Sequence, residues 1–389
     1  MACILTQGGW MRCILPVALL LRLIGSTWPA VAGFSDNYVQ YVVSNQALGV
    51  FSVDAHDING DGQVDILGAM RTNGNLTWWQ NMLEEGGSWQ EWPIDRNAAG
   101  AQNAAAADID ADGDLDVVSA AAIADEVAWY RNENGAGMVW TKILVAANFN
   151  GARWVIAADF DADNDLDIAG CAGWDNLVTW WENQDGTGGI WLAHPIDSSF
   201  GGAHSLAAAY IDGAGDLDLL GAAFWDHEIG WWENLGGQGL TWSYHVIATG
   251  FWNAISAEAG DIDGDGDLDV VGAAFGACDV GWWKNVNGNG LTWVYRKLDA
   301  EFSGAHNIVL ADMDHDLDLD VVSPASGGDE VAWWKNLTGS GWRWSKISVT
   351  TTIDGPVNVD VADFNSDGLL DVVAAGFVGN TIAWWPAQP

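Results

Sequence analysis

The sequence predicts an all-β fold, a seven-bladed β-propeller with four strands in each blade. An acidic loop of the form D-x-D-x-D-G-x-x-D recurs seven times at a fixed spacing of 51 residues, and an aromatic pair follows every loop at the same spacing. A repeat of about 40 to 50 residues is typical of propellers. The loops begin at Asp57, Asp108, Asp159, Tyr210, Asp261, Asp312 and Asp363.

The aromatic pairs predict how neighbouring blades pack. Adjacent side chains of a strand point to opposite faces of the sheet, so one ring of each pair can face each neighbouring blade. We therefore expect both rings to lie in the core. The pairs are Trp78 and Trp79, Trp129 and Tyr130, Trp180 and Trp181, Trp231 and Trp232, Trp282 and Trp283, Trp333 and Trp334, and Trp384 and Trp385.

Each repeat contains four candidate strands and no helical period. In the third repeat the strands are expected at 154–158, 166–171, 177–182 and 190–196. A further Trp recurs from Trp89 to Trp344, and one period before Trp89 the chain has Tyr38 instead. We therefore predict that an N-terminal strand completes the last blade and closes the ring, which leaves few exposed edges.

The first 32 residues are predicted to be a secretory signal. Met11 and Arg12 give a short positive start, residues 14–24 are mostly apolar, and Ala30-Val31-Ala32 forms a small-residue cleavage site, with cleavage expected after Ala32. Residues 33–389 then form seven repeats of 51, which makes this region a single propeller domain. No segment approaches the about 20 apolar residues of a spanning helix, so we expect a secreted protein without membrane insertion.

The amino-acid composition of the chain restricts the kinds of partner that it is expected to bind. The chain has 13 Lys and Arg residues against 53 Asp and Glu residues, a net charge of −40, so nucleic acid and anionic membranes are not expected to bind. More than half of the acids fall in the seven loops, and such clusters need a neutralising cation. Outside the leader only Cys171 and Cys278 remain, two repeats apart, and no intramolecular disulfide is expected between them.

The loop pattern favours calcium as the cofactor. Positions 1, 3, 5 and 9 offer side-chain oxygens and position 7 a backbone carbonyl, and all-oxygen ligation suits Ca²⁺ better than Zn²⁺ or Mg²⁺. An EF-hand is excluded because it needs Glu at position 12, where the first three loops have Gly68, Ser119 and Gly170, and because a strand follows the loop. The predicted ligands are Asp57, Asn59, Asp61 and Asp65; Asp108, Asp110, Asp112 and Asp116; Asp159, Asp161, Asp163 and Asp167; Asp261, Asp263, Asp265 and Asp269; Asp312, Asp314, Asp316 and Asp320; and Asp363, Asn365, Asp367 and Asp371.

Two loops depart from the pattern. The fourth has Tyr210 and Ala214 in place of the first and third acids, and we expect it to bind no ion. The sixth has Leu317 where the others mostly have Gly, which is expected to strain the turn and weaken binding.

The segment from Asp261 to Gly272, followed by Gly281-Trp282-Trp283-Lys284-Asn285, resembles the FG-GAP/VCBS repeat family. The resemblance extends over residues 33–389. It implies a calcium-binding propeller like that of the integrin α-subunit head, with calcium at the matching loops. Members of the family serve in adhesion, in glycan binding and, in some polysaccharide lyases and sugar dehydratases, in catalysis.

Tryptophans outside the repeat positions indicate a candidate ligand site. Strand direction alternates, so the connections opposite the acidic loops share one face. Aromatic rings with convergent polar groups suit a sugar, although these rings can equally fill loops and blade junctions. The candidate residues are Trp154, Trp174, Asp175, His204, Trp225, Asp226, His227, Trp252 and Asn253.

The expected function is adhesion or binding of a glycan or an extracellular protein by a monomer. An enzyme of the lyase or dehydratase kind is the alternative, with His204, His227, His306 and Tyr210 as acid and base. No nucleophile elbow, zinc motif or phosphate loop is present in the sequence, and no catalytic residue is assigned.

Overall fold

The structure is a computed structural model that describes residues 38–82 and 88–388. These residues form 28 strands in seven antiparallel four-stranded sheets and contain no helix, which confirms the all-β seven-bladed propeller. The predicted leader lies outside the described residues. Among those residues, no helix is long and apolar enough to cross a membrane.

Each blade is a meander of four strands that runs from the central channel to the rim. The first three blades contain β2 (Val50–His56), β3 (Asp65–Met70), β4 (Asn75–Asn81) and β5 (Trp89–Asp95); β6 (Ala101–Ala107), β7 (Asp116–Ala121), β8 (Glu126–Asn132) and β9 (Trp140–Ala147); and β10 (Ala152–Ala158), β11 (Asp167–Ala172), β12 (Leu177–Asn183) and β13 (Trp191–Asp197). The strand positions predicted for the third repeat are correct to within two residues.

The next three blades repeat this order. They contain β14 (Ala203–Ala209), β15 (Asp218–Ala223), β16 (Glu228–Asn234) and β17 (Trp242–Thr249); β18 (Ala254–Gly260), β19 (Asp269–Ala274), β20 (Asp279–Asn285) and β21 (Trp293–Asp299); and β22 (Val309–Ala311), β23 (Asp320–Ala325), β24 (Glu330–Asn336) and β25 (Trp344–Thr350). Loops between the first and second strands therefore lie on one face of the disc, and those between the second and third strands on the other.

The seventh blade joins the two ends of the chain. It contains β26 (Pro356–Ala362), β27 (Asp371–Gly376) and β28 (Thr381–Trp385), and its outer strand is β1 (Tyr41–Ser44). Tyr41 pairs with Trp384 in the antiparallel register, and their ring centroids are 5.4 Å apart. The backbone N–H of Gly49 donates to Asn380 Oδ1 at 2.7 Å. The predicted closure by the N-terminal strand is confirmed.

The aromatic pairs form the core between blades, as predicted. No ring of the seven pairs is more than 5 % exposed. In four of the repeats the second ring of the pair lies close against a glycine of the preceding strand: a Cβ at Gly68 would be 2.8 Å from the Trp79 ring. Gly at this position therefore makes room for the indole.

Side-chain hydrogen bonds connect neighbouring blades. Trp129 Nε1 donates to the carbonyl of Gly188 in the next blade at 3.1 Å. Asn183 accepts from the Gly188 N–H at 2.9 Å and donates to the Ile109 carbonyl of the previous blade at 3.2 Å. The equivalent bond is made by Trp78, Trp180 and Trp231. These bonds hold the loop before the outer strand of one blade against the aromatic pair of the preceding blade.

The first strands of the blades line the central channel. Most of them change register near their start, for example between Ala203 and Ser205, and the residue at this bulge projects into the channel. The following polar side chain reaches the next blade: Asn103 Oδ1 accepts from the Val155 N–H at 3.0 Å. The channel is therefore lined by one such residue from most of the repeats.

Candidate functional site

Each complete acidic loop is wound around the carboxylate at its first position. In the seventh loop, Asp363 accepts from the backbone N–H groups of Asp367 at 3.0 Å and Gly368 at 2.8 Å. Other loops repeat one or both of these bonds. The fourth loop has Tyr210 at this position, and its phenol ring cannot take the place of the carboxylate.

Two residues of each loop adopt left-handed backbone conformations, which favours Gly. At the sixth position Gly266 has φ 96°, whereas Leu317 has φ 74° in the sixth loop. A left-handed conformation costs a residue with a side chain about 1–2 kcal/mol. The expected strain at Leu317 is therefore present, and its side chain is 79 % exposed.

The aspartate at the ninth position holds the loop to its own blade. In the fourth loop Asp218 accepts from the N–H of Ile211 at 3.0 Å and of Asn234 at 2.9 Å. Both bonds recur at the ninth position of every other loop except the fifth, where Asp269 accepts only from the N–H of Asn285, at 2.8 Å. Burial raises the pKa of Asp65 to about 7 and that of Asp320 to about 8. The ninth aspartate therefore has a structural role as well as its predicted ligand role, which sequence reasoning missed.

Four loops bring carboxylates together as a metal site requires. In each of them, oxygens of three aspartates lie within 4.8 Å of one another. The groups are Asp108, Asp110 and Asp116; Asp159, Asp161 and Asp167; Asp261, Asp263 and Asp265; and Asp312, Asp314 and Asp316. The fourth predicted aspartate of each loop, namely Asp112, Asp163, Asp269 or Asp320, is outside its group.

The donor sets of these loops fit calcium. Asp108 Oδ1, Asp110 Oδ1, Asp261 Oδ1 and Asp263 Oδ1 are buried and accept no hydrogen bond from the described residues. Buried acceptors without a partner are rare, because they lose hydration without compensation. An oxygen-only set of carboxylates is what Ca²⁺ prefers. The first and seventh loops use Asn59 and Asn365, whose oxygens accept from backbone N–H groups of the loop at 2.9 Å.

The residue after each aromatic pair differs between repeats and changes the net charge beside the acidic loop. Lys284 pairs with Asp263 and with Asp265, at 2.7 Å from the latter. Lys335 does the same with Asp314 and Asp316 in the sixth loop. The third repeat instead has Glu182 at this position, so that loop carries an extra acid.

Three of the predicted tryptophans are exposed on the opposite face. Trp174 and Trp225 lie in the turns between the second and third strands and are 51 % and 49 % exposed, and Trp252 precedes β18 and is 60 % exposed. We call these three residues the tryptophan patch. Trp154 differs, because it is only partly exposed and packs against the core between the third and fourth blades.

Four predicted polar residues are engaged in the loops themselves. Asp175 accepts from the Asn150 N–H at 3.1 Å, and Asp226 accepts from the Gly201 N–H at 2.6 Å. His227 stacks on Trp252 with ring centroids 4.1 Å apart. The backbone N–H of Asn253 donates to His227 Nδ1 at 3.0 Å. These groups hold the patch in place.

Seven residues at equivalent repeat positions, six of them at the bulges of inner strands and His306 just before β22, meet at the channel end on this same face. We call this set the mouth ring: Phe51, Gln102, Arg153, His204, Ile255, His306 and Val357. His204 and His306 come from blades two apart, yet their ring centroids are 6.1 Å apart, and Phe51 is 5.7 Å from His306. Of these residues only His204 belongs to the predicted ligand set, and His306 was named with it for the enzyme alternative. The seven positions are spaced by 51 residues, but they do not share one residue type that would mark the ring in the sequence.

The alternative set of catalytic residues is not brought together. His204 and His306 share the mouth ring, but Tyr210 follows the last residue of β14, at the opposite end of the strand that begins beside His204. Six residues of extended strand span about 20 Å. The expectation that Tyr210 acts with these histidines is therefore wrong. Cys171 and Cys278 are both free, as predicted.

Comparison with known proteins identifies the class. A profile of the FG-GAP-like repeat matches residues 57–119, 108–170, 211–272 and 312–374, which is more than half of the chain. The chain belongs to the FG-GAP-like repeat family. No functionally curated protein matches it.

Solved structures of similar fold include virginiamycin B lyase from Staphylococcus aureus. The selenomethionine-substituted protein has a TM-score of 0.62 at 11 % identity, with 91 % of this chain and 99 % of that chain covered. A catalytically inactive variant with quinupristin has a TM-score of 0.61 at the same identity and coverage. At this identity the likeness shows the fold alone.

Proposed function

We propose that the chain is a secreted, monomeric, calcium-binding propeller that binds a carbohydrate on the face opposite the acidic loops. The tryptophan patch is the observation that carries the proposal. Trp174, Trp225 and Trp252 come from neighbouring blades, and about half or more of each side chain is exposed. Indole faces stack on the apolar faces of sugars, and large exposed apolar groups on one surface mark binding sites.

Calcium serves the structure in this proposal. The orphan carboxylate oxygens of the second and fifth loops support it, and so does membership of the FG-GAP-like repeat family. Sites of modest affinity are occupied at the extracellular calcium concentration, which is about millimolar. Because the ion binds the folded loop alone, it adds to the free energy of unfolding.

A glycan array tests the proposal directly. The protein is applied in millimolar calcium and again with a chelator, beside the variants Trp174→Ala and Trp225→Ala. Trp342→Ala is the matched control, because Trp342 is 61 % exposed but lies in the connection between β24 and β25, on the acidic-loop face.

We expect each patch variant to lose about tenfold or more in affinity, which corresponds to about 1.4 kcal/mol of binding free energy. The Trp342 variant should bind like the unaltered protein. Glycan binding that survives both patch substitutions would contradict the proposal. An extracellular protein ligand is the other partner that the same surface suits.

Catalysis is a second candidate function, and the mouth ring is the observation that favours it. His204 and His306 are buried with their ring centroids 6.1 Å apart, and His204 Nε2 is 3.5 Å from Arg153 Nη1. A neutral imidazole can accept a proton there, and the adjacent guanidinium can stabilise the anion that forms. Eliminative cleavage of an acidic polysaccharide would appear as new ultraviolet absorbance. No absorbance change with any acidic polysaccharide would exclude this activity.

A further inference from the structure

Arg153 lies in the mouth ring without an acidic partner. Its Nη1 is 3.4 Å from Gln102 Oε1 and 3.5 Å from His204 Nε2. Among the described residues, Nε and Nη2 have no hydrogen-bond partner, and no carboxylate lies within ion-pair distance of the guanidinium.

The surroundings of Arg153 are positive or neutral. Burial and the nearby Arg71 lower the pKa of the Arg153 guanidinium. Burial, and then the charge of Arg153, lowers the pKa of His306 to about 3, and the pKa of His204 also falls well below its usual value. Both imidazoles are therefore neutral at physiological pH, and the charge at the mouth ring is that of Arg153.

Neighbouring groups hold the guanidinium in place. His204 Nδ1 lies 3.1 Å from the carbonyl of Ile255 and donates to it, so the neutral ring presents Nε2 as an acceptor to Arg153. Gly173 leaves space for the arginine side chain: a Cβ there would be 2.9 Å from Arg153 Nε. In the fourth and fifth blades the equivalent residues are Phe224 and Phe275.

A cavity of about 70 Å³ opens beside this arginine. It is lined by Arg153, Gly202, His204, Phe224 and Trp225. One wall therefore carries a fixed cation with free donors, and another carries an exposed indole of the tryptophan patch.

We propose that this cavity binds the acid group of a negatively charged sugar, with the carboxylate or sulfate on Arg153 and the sugar ring on Trp225. The inference rests on the proposed carbohydrate-binding function and names its ligand class. A planar guanidinium matches either acid group with two parallel N–H···O bonds. The net charge of the chain repels anions at long range, so selectivity must come from this local contact.

The test compares acidic glycans with their own neutral forms. Oligogalacturonate is measured against its carboxyl-reduced form, and dextran sulfate against dextran, by calorimetry in calcium. The variants are Arg153→Gln and, as a matched control, Arg296→Gln. Arg296 is also an arginine without a carboxylate partner among the described residues, but it stacks on Trp342 with its Cζ 3.6 Å from the ring centroid.

We expect at least one acidic glycan to bind about tenfold or more tightly than its neutral form, and Arg153→Gln to remove this preference while the affinity for the neutral form stays unchanged. Arg296→Gln should keep the preference. The pair that shows the preference distinguishes carboxylate from sulfate.

Two results would overturn the inference in different ways. Equal affinity for acidic and neutral forms, lost on Trp225→Ala, would reject the acidic ligand and leave the carbohydrate-binding function standing. Absence of binding to every glycan, acidic or neutral, would reject both.

Discussion

The acidic loops and the mouth ring occupy opposite ends of the same inner strands, and their chemistry is opposite. At one end carboxylate oxygens such as Asp110 Oδ1 are buried without donors, and at the other Arg153 has N–H groups without acceptors. The acidic loop occurs seven times in the chain, whereas Arg153 occurs in one blade only. Features that repeat thus hold the ring together, and the departures from the repeat distinguish one sector of it.

Calcium removal is expected to give the largest effect, and it acts on the acidic end alone. A ligand at about 100 times its dissociation constant adds about 2.7 kcal/mol per site, and the structure has four clustered sites. With an unfolding entropy of about 2.1 cal/mol/K per residue, a domain of roughly 350 residues melts about 1.4 °C higher per kcal/mol. We therefore expect a chelator to lower the melting temperature by at least about 10 °C, measured by scanning calorimetry.

Magnesium is the control for that experiment, because it demands near-octahedral geometry and gives up its water reluctantly. A melting temperature that does not respond to calcium, or that responds equally to magnesium, would contradict the assignment of these loops.

A single loop should account for a single ion. In the third loop, Asp161→Ala removes one of three clustered carboxylates, whereas Asp212→Ala removes the equivalent acid of the fourth loop, which lacks two others. We expect the first variant to lose one bound calcium and to melt about 2–5 °C lower in calcium. The second should lose none. Emission spectroscopy after gel filtration counts the ions.

Both substitutions change the net charge equally, so general electrostatics cannot explain a difference between them. Loss of one ion by the Asp212 variant would show that the fourth loop binds calcium despite Tyr210. An unchanged count in the Asp161 variant would remove this residue from the ligands.

The fold and the position of the acidic loops could be predicted from the sequence, because both follow from the strict repeat of 51 residues. The Trp pairs, the closure by β1 and the left-handed strain at Leu317 all follow from comparing repeats. Each of these signals lies within one repeat or at a fixed offset from it.

The mouth ring could not be predicted from the sequence, and the reason is physical. Phe51, Arg153 and His306 come from different blades, and ring closure brings them together. The bulge at the start of most inner strands directs these side chains inward, and no residue type marks it. Hydrogen bonds between distant residues could not be predicted either, such as the bond from the Gly201 N–H to Asp226, 25 residues away. Asp226 was therefore predicted as a ligand-binding residue, although its carboxylate holds the loop.

Between the acidic loops and the mouth ring, the inner strands contain a pair of buried carboxyl groups whose effect on stability can be tested through its pH dependence. Burial and the neighbouring Asp360 raise the pKa of Glu258 to about 8, and burial and then Asp54 raise that of Asp360 to about 7. The folded state therefore holds these protons more tightly than the unfolded state, whose carboxyls titrate near pH 4. Stability from this source is present below about pH 4 and falls as the pH rises to about 8.

Glu258→Gln removes that dependence while keeping the shape of the side chain. At pH 8 and saturating calcium we expect the variant to melt about 2–5 °C above the unaltered protein, and near pH 4.5 the two should coincide. Glu301→Gln is the control, because Glu301 is exposed and its loss changes the net charge by the same amount. If both variants raise the melting temperature equally at pH 8, the effect comes from the net charge of the chain, and the channel carboxylates have no separate effect on stability. A gain confined to Glu258 at high pH would instead show that acids are tolerated in the channel only as protonated groups, in contrast to the acidic loops, where a cation can balance them.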